Sequence, residues 1–357
     1  MTTTTETPNA QPAAARKATE KTLTGVQKLP MAKAINLGLR RALERDAKTL
    51  LMGEDIGQLG GVFRVTDGLQ RDFGADRVVD TPLAESGIVG TAIGLALRGY
   101  RPVLEIQFDG FIFPAFDQIT TQLSKMHYRS RGRLTLPVVI RVPFGGGIGA
   151  VEHHSESPEV LFAHTAGLRV VSPSTPAEAF TMIQQAIASP DPVLFFEPKG
   201  RYWEKGEVDL DAPLADPHTP DGLGLDKARV VRSGTDVTLV AHGPTVATAL
   251  KAAEAAATDG TSVEVVDLRT LSPLDTATIA ESVRRTRRCI VIHEAPVLYG
   301  TGAEVAARIT EECFFHLEAP VLRVGGFHMP YPVAKLEHEY LPGLDRVLDA
   351  IDRSLAF

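Results

Sequence analysis

The sequence predicts a two-domain α/β protein with mostly parallel sheets, on three observations. Short apolar strands alternate with helical stretches from Leu29 onward, and a Pro-, Asp- and Gly-rich segment interrupts the alternation between Glu204 and Lys227. At 357 residues the chain also exceeds what one hydrophobic core usually supports. In the first half, strands are expected at Thr49–Ile56, Arg77–Asp80, Arg101–Gln107, Val138–Phe144, Arg169–Pro173 and Val193–Pro198. Helices are expected near Met31–Arg45, Ser86–Arg98, Phe113–Tyr128 and Pro176–Ala188. Strands alternating with helices imply a parallel sheet covered on both faces. A second series gives strands at Asp236–His242, Val263–Leu268, Cys289–His293 and Val321–Val324. Its helices fall near Thr245–Ala257, Thr276–Arg285, Gly302–Glu312 and Leu344–Leu355. The expected division is a disordered tail over residues 1–28, a first domain over 29–203, a linker over 204–227 and a second domain over 228–357.

Composition narrows the function classes. A hydrophobic fraction of 44% and a charged fraction of 23% suit a globular enzyme. The net charge of −7, with no block of Lys or Arg, argues against nucleic-acid partners and anionic membrane surfaces. Cys289 and Cys313 form neither a disulfide framework nor a metal cage, so a reducing, cytoplasm-like compartment is expected. The apolar stretch Ile88–Leu97 is too short to span a bilayer. The N-terminal residues are rich in Thr, Ala and Pro without an apolar centre, unlike a secretory signal.

Several motifs have a bland reading beside a sharp one. Gly145-Gly146-Gly147-Ile148-Gly149-Ala150 follows a strand and formally fits a dinucleotide fingerprint. That fingerprint needs a helix starting inside it and an acidic residue ending the next strand; the expected next strand ends near Ser172 instead. A flexible glycine loop lining a substrate channel is the expectation. Ser86 lies at a strand-to-helix turn, but Ala84 and Ile88 replace the glycines of a nucleophile elbow. Adjacent His153 and His154 point in different directions and lack a metal partner at helical spacing. Glu85 stands where a strand gives way to a helix, at the sheet edge where open α/β folds bind ligands. A carboxylate there also simply suits the helix dipole. The helix that follows carries Gly87, Gly90 and Gly94, each costing about 1 kcal/mol relative to Ala. Such a small-residue stripe suggests a tight helix contact, across subunits or within the chain.

These residues, taken with several longer blocks, resemble a known family. LLMGEDIG (Leu50–Gly57), DTPLAESGIVGTAIGLAL (Asp80–Leu97), EIQFDGFIFPAFDQI (Glu105–Ile119), HHSESPE (His153–Glu159), FFEPK (Phe195–Lys199), EVVDLRTLSPLD (Glu264–Asp275) and IHEAP (Ile292–Pro296) occur in order. Together they are similar to the beta subunit of the first, thiamine-diphosphate-dependent component of 2-oxo-acid dehydrogenase complexes, nearest the branched-chain type. The resemblance implies a transketolase-like pyrimidine-binding domain followed by a transketolase C-terminal-like domain.

By that resemblance Glu85 hydrogen-bonds the cofactor's aminopyrimidine, Leu83 contacts its ring, and Gln107 and Phe111 line its pocket. His154 serves as proton donor in acyl transfer, with His153 the weaker candidate. The diphosphate and magnesium are expected on an alpha subunit, because the family's GDG…NN motif is absent here. The resemblance further implies an alpha2beta2 heterotetramer and a dihydrolipoyl acyltransferase core with its lipoyl domain. It also raises a structural potassium held by carbonyls near Leu136, Val138 and Val139 and by the 186–191 loop, where Ser189 replaces a side-chain ligand. The Glu105–Ile119 segment favours branched-chain 2-oxo acids over pyruvate. Ketol transfer is the other enzymatic reading, against which the missing GDG half counts. A non-catalytic docking subunit is the third, against which the joint presence of Glu85 and His154 counts.

Overall fold

The computed structural model describes residues 23–214, 216–217 and 223–357. Among them, seven strands form one sheet in the order Thr270–Ser272, Arg169–Val171, Val193–Pro198, Val139–Phe144, Arg101–Glu105, Thr49–Gly53, Val78–Asp80. All neighbours run parallel except Thr270–Ser272, which pairs antiparallel with Arg169–Val171. Side chains alternate across a strand, so each strand supplies both faces. Leu50, Met52, Leu104, Ile140, Val142, Leu194 and Phe196 enter one core, while Leu51, Val103, Val139, Val193 and Phe195 enter another. Central strands buried on both sides explain the near-continuous apolar runs.

The second sheet has five strands in the order Leu322–Gly326, Cys289–Pro296, Val237–Ala241, Val263–Asp267, Arg229–Arg232, with the last antiparallel. Each sheet has an apolar cluster of its own on one face, but on the other faces the two share a single core. Val240, Val266, Leu268 and Val291 belong to the same apolar cluster as Phe144, Val170 and Phe196. The strand Thr270–Ser272, downstream of the expected linker, completes the edge of the first sheet.

Three helices have the expected bounds: Met31–Arg45, Leu344–Leu355 and Pro176–Ala188. In the last, the Thr175 hydroxyl accepts from Glu178 N and Pro176 stands at the first helical position. The helix expected at Phe113–Tyr128 is instead broken into a 3-10 segment Asp109–Ala115, a π-turn Gln118–Gln122, a 3-10 turn Leu123–Lys125 and a short α-helix Met126–Arg129. Pro114 has no N–H to donate and prevents a regular α-turn through the first piece.

The tail and linker expectations also need correction. Most of the tail lies outside the described residues, but its end, Val26–Pro30, is a strand paired antiparallel with Lys205–Asp209, inside the expected linker. The linker's second half is held by buried Arg269, whose guanidinium donates to the carbonyls of Gly224 and Lys227.

Candidate active site

The C-terminal ends of four adjacent strands of the first sheet, the outermost being Val78–Asp80, lie along one edge. Gly53 leads to Glu54, Asp80 to the turn before Glu85, Glu105 to Gln107, and Phe144 to the glycine loop. Glu85 is the first residue of the helix Glu85–Leu97 and is buried. Glu54 is buried beside it, and its Oε1 has no hydrogen-bond partner among the described residues. Burial, and then the like charges of Glu85 and Asp55, raise the Glu54 carboxyl above the usual range. Gln107 reaches the same corner, with Nε2 donating to the Glu54 carbonyl at 3.4 Å. Two close carboxyl groups with an unpartnered oxygen suit a ligand edge that carries both N–H donors and a ring nitrogen.

An aromatic wall continues from this corner. Phe111 lies edge-on to His154 with ring centres 5.2 Å apart, and Phe108 stacks flat on the imidazole at 3.9 Å. His154 Nδ1 lies 2.8 Å from the His153 carbonyl. A carbonyl only accepts, so Nδ1 carries the hydrogen there and Nε2 remains for chemistry. His153 is exposed and meets Phe111 only at 6.3 Å.

Of the residues expected from sequence, Glu85 and Gln107 flank Glu54, and Phe111 and His154 share the adjoining wall. Leu83 is 79% exposed, as an open half-site would leave it. Glu54 and Phe108 were missed. Both lie inside the quoted blocks, Glu54 directly after a strand and Phe108 in the FDGF run, and that placement was the available signal.

The potassium candidates sit at the opposite end of the sheet, where the strand Val139–Phe144 begins. The Leu136 carbonyl accepts from Val138 N and the Val138 carbonyl from Val193 N. Arg101 Nη1 donates to the carbonyls of Ile187, Ala188 and Ser189 at 2.9, 3.4 and 3.3 Å. A fixed guanidinium charge already occupies the helix end, so this arrangement does not fit an added cation. Among the described residues no group of three or more His, Cys, Asp or Glu side chains could hold a metal ion.

The glycine loop is not the flexible channel lining expected. Its amides bind carboxylates of the second sheet's side of the molecule: Gly146 N donates to Glu294 Oε2 at 2.8 Å and Gly147 N to Glu337 Oε1 at 2.9 Å. No nucleotide is needed to satisfy them.

The glycine stripe is exposed. A Cβ added at Gly90 or Gly94 would meet nothing within 4 Å, and at Gly87 only Ala84 Cβ, at 3.6 Å. Apart from Ala84, the stripe therefore makes no close side-chain contact among the described residues.

The family pattern described as "Transketolase, pyrimidine binding domain" matches residues 27–204, and "Transketolase, C-terminal domain" matches 226–347. A relative from Leifsonia xyli subsp. xyli, "Pyruvate dehydrogenase E1 component subunit beta", is 63% identical, covering 93% of this chain and 96% of its own length. "3-methyl-2-oxobutanoate dehydrogenase subunit beta" from Mycobacterium tuberculosis is 54% identical over 92% of each chain. A solved structure titled "Split gene transketolase, inactive beta4 tetramer" matches with a TM-score of 0.71 at 23% identity, covering 92% of this chain and 99% of that one, a likeness of fold.

Proposed function

This chain belongs to the family of beta subunits of the E1 component of 2-oxo-acid dehydrogenases, and on that premise we propose that it supplies one half of a shared thiamine-diphosphate site. The observation that carries the proposal is the Glu85–Glu54 corner, with its unpartnered buried oxygen, in a chain without a GDG…NN segment. When bound, thiamine diphosphate supplies a nucleophilic carbon for the 2-oxo group and an electron sink for loss of carbon dioxide.

The residues of this chain have distinct tasks. Glu85 hydrogen-bonds the pyrimidine ring from the head of its helix, and the buried Glu54 carboxyl, raised above the usual range, lines the same corner. Leu83, Gln107 and Phe111 line the ring's pocket. His154 presents Nε2 to the acyl acceptor, a lipoyl group on an acyltransferase core, and donates a proton from it when both ring nitrogens carry one. The diphosphate and magnesium belong to an alpha subunit, with which this chain forms an alpha2beta2 assembly.

The substrate we propose is a short aliphatic 2-oxo acid. The Glu105–Ile119 segment favours a branched chain, while the 63% identical relative is named for pyruvate. A few methylenes change preference by only about 1–3 kcal/mol each, so both fit the same half-site. The test is kcat/KM of the assembled alpha2beta2 enzyme for pyruvate and for 3-methyl-2-oxobutanoate, with Glu85→Gln as control. Turnover of either acid that Glu85→Gln abolishes supports the proposal; turnover of neither by a correctly assembled tetramer contradicts it.

A further inference from the structure

Residues 145–156 form a closed loop that carries both histidines and is fixed at its base and along its first arm. At the base, Gly145 N donates to the Glu156 carbonyl at 3.0 Å, and Glu156 N donates to Asp109 Oδ2 at 2.9 Å. Asp109 is itself buried against Lys199, its Oδ1 2.9 Å from Nζ. The first arm is held from the C-terminal domain. Glu337 Oε1 accepts from Gly147 N at 2.9 Å, and Oε2 accepts from Gly149 N at 3.2 Å. The Tyr331 hydroxyl donates to Glu337 Oε1 at 2.7 Å and so orients the carboxylate. On the second arm His154 ends the 3-10 turn Glu152–His154, its N donating to the Val151 carbonyl at 3.0 Å and its Nδ1 to the His153 carbonyl at 2.8 Å. Its ring lies against Phe108, the edge of Phe111 and the His153 ring.

We infer that Glu337 is a positioning residue for His154. Gly147 and Gly149 hold φ of 92° and 69°, and glycines have many other conformations of equal cost. A carboxylate bound to their two amides selects one of them, which a contact between side chains would not do. The inference rests on the proposed role of His154 in acyl transfer and adds how that imidazole is kept against Phe108.

The test uses the complete alpha2beta2 enzyme carrying Glu337→Ala, Glu337→Gln, Tyr331→Phe, His154→Ala, or Glu337→Ala with His154→Ala. Three quantities are read: kcat for acyl transfer to a free lipoyl domain, kcat for decarboxylation with a dye as acceptor, and amide hydrogen exchange over 145–156. In Glu337→Ala, acyl transfer should fall roughly tenfold or more and decarboxylation far less, with little change in KM for the lipoyl domain. Glu337→Gln, which keeps an accepting oxygen, should recover part of the loss. The double variant should be no slower than His154→Ala, because the two residues act as a unit. Exchange over the loop should quicken roughly tenfold. Tyr331→Phe removes a single donor and should show the same pattern at a few-fold scale, which keeps the test open if Glu337→Ala fails to assemble. Equal losses in both reactions, additive effects in the double variant, or unchanged exchange would each overturn the inference. Normal acyl transfer by His154→Ala would instead overturn the role given to His154, and the exchange data would still decide whether Glu337 holds the loop.

Discussion

Glu85 and Glu54 lie together although a short helix, Leu69–Phe73, and the strand Val78–Asp80 separate them in sequence. Glu85 was legible because a strand-to-helix junction marks the ligand edge of an open sheet. Glu54 was not, because its neighbour depends on strand order, which periodicity does not encode. Replacing Glu85 with Ala should slow decarboxylation by about 10²–10⁴-fold while leaving the tetramer intact. Exchange of the cofactor's C2 proton at the wild-type rate in that variant would contradict its role. A second buried pair makes a prediction about pH. Glu159 and His242 face each other at 3.6 Å across the two domains, with no hydrogen bond on either side chain. Burial, and then Glu294 and Asp109, push the Glu159 carboxyl up to about 8, while burial and then His293 lower His242 to about 3. Between the ordinary carboxyl value of 4.5 and about 8, the unfolded chain releases a proton that the folded chain keeps, so stability falls as pH rises. His242 acts oppositely: between about 3 and 6.5 the unfolded chain binds a proton that the folded chain refuses, so stability falls as pH drops. Glu159→Gln mimics the neutral acid, and its stability relative to wild type should improve by roughly 1–3 kcal/mol between pH 5 and 8.5. Urea denaturation at both pH values checks this, and a constant difference would show that Glu159 does not titrate there.

The helix Glu85–Leu97 has its apolar residues on all sides, with Ile88, Val89, Ala92 and Ala96 buried and Gly87, Gly90 and Gly94 facing outward. A helix that is apolar all round is ordinarily covered all round, so the glycine face is where we expect another chain to pack. Gly90→Leu introduces overpacking of about 1–3 kcal/mol at such a contact and, one turn from Glu85, should weaken assembly and activity together. Sedimentation of the mixed subunits measures the first and turnover the second; unchanged mass with full activity would show that this face meets no partner. At this scale the sequence was most legible where the signal was local. The periodicity of Met31–Arg45 and the Thr175–Pro176 start are complete within one segment. The pairing of Val26–Pro30 with Lys205–Asp209 was illegible because its partners lie far apart, one inside a Pro- and Asp-rich stretch. The pieces between Asp109 and Arg129 kept a helical period while Pro114 broke the hydrogen bonds beneath it.

For the whole molecule, the two sheets share one apolar cluster, and the glycine loop is tied to Glu294 and Glu337 on the far side. The domain that carries Glu85 and the domain that fixes the histidine loop therefore behave as one support. That support is open: Leu83 is exposed, the glycine stripe is uncovered by the described residues, and no GDG…NN segment occurs in the sequence. Alternating strands and helices made the α/β class legible, but the merged core was not, because apolar strands in two domains look alike whether or not they meet. The central claim is that this chain holds half of a site. Its most direct test is titration of the purified chain with thiamine diphosphate and magnesium, alone and mixed with the alpha subunit, while decarboxylation of a 2-oxo acid is followed. The account predicts neither tight cofactor binding nor turnover by the chain alone, and both in the mixture; robust turnover by the pure single chain would contradict it.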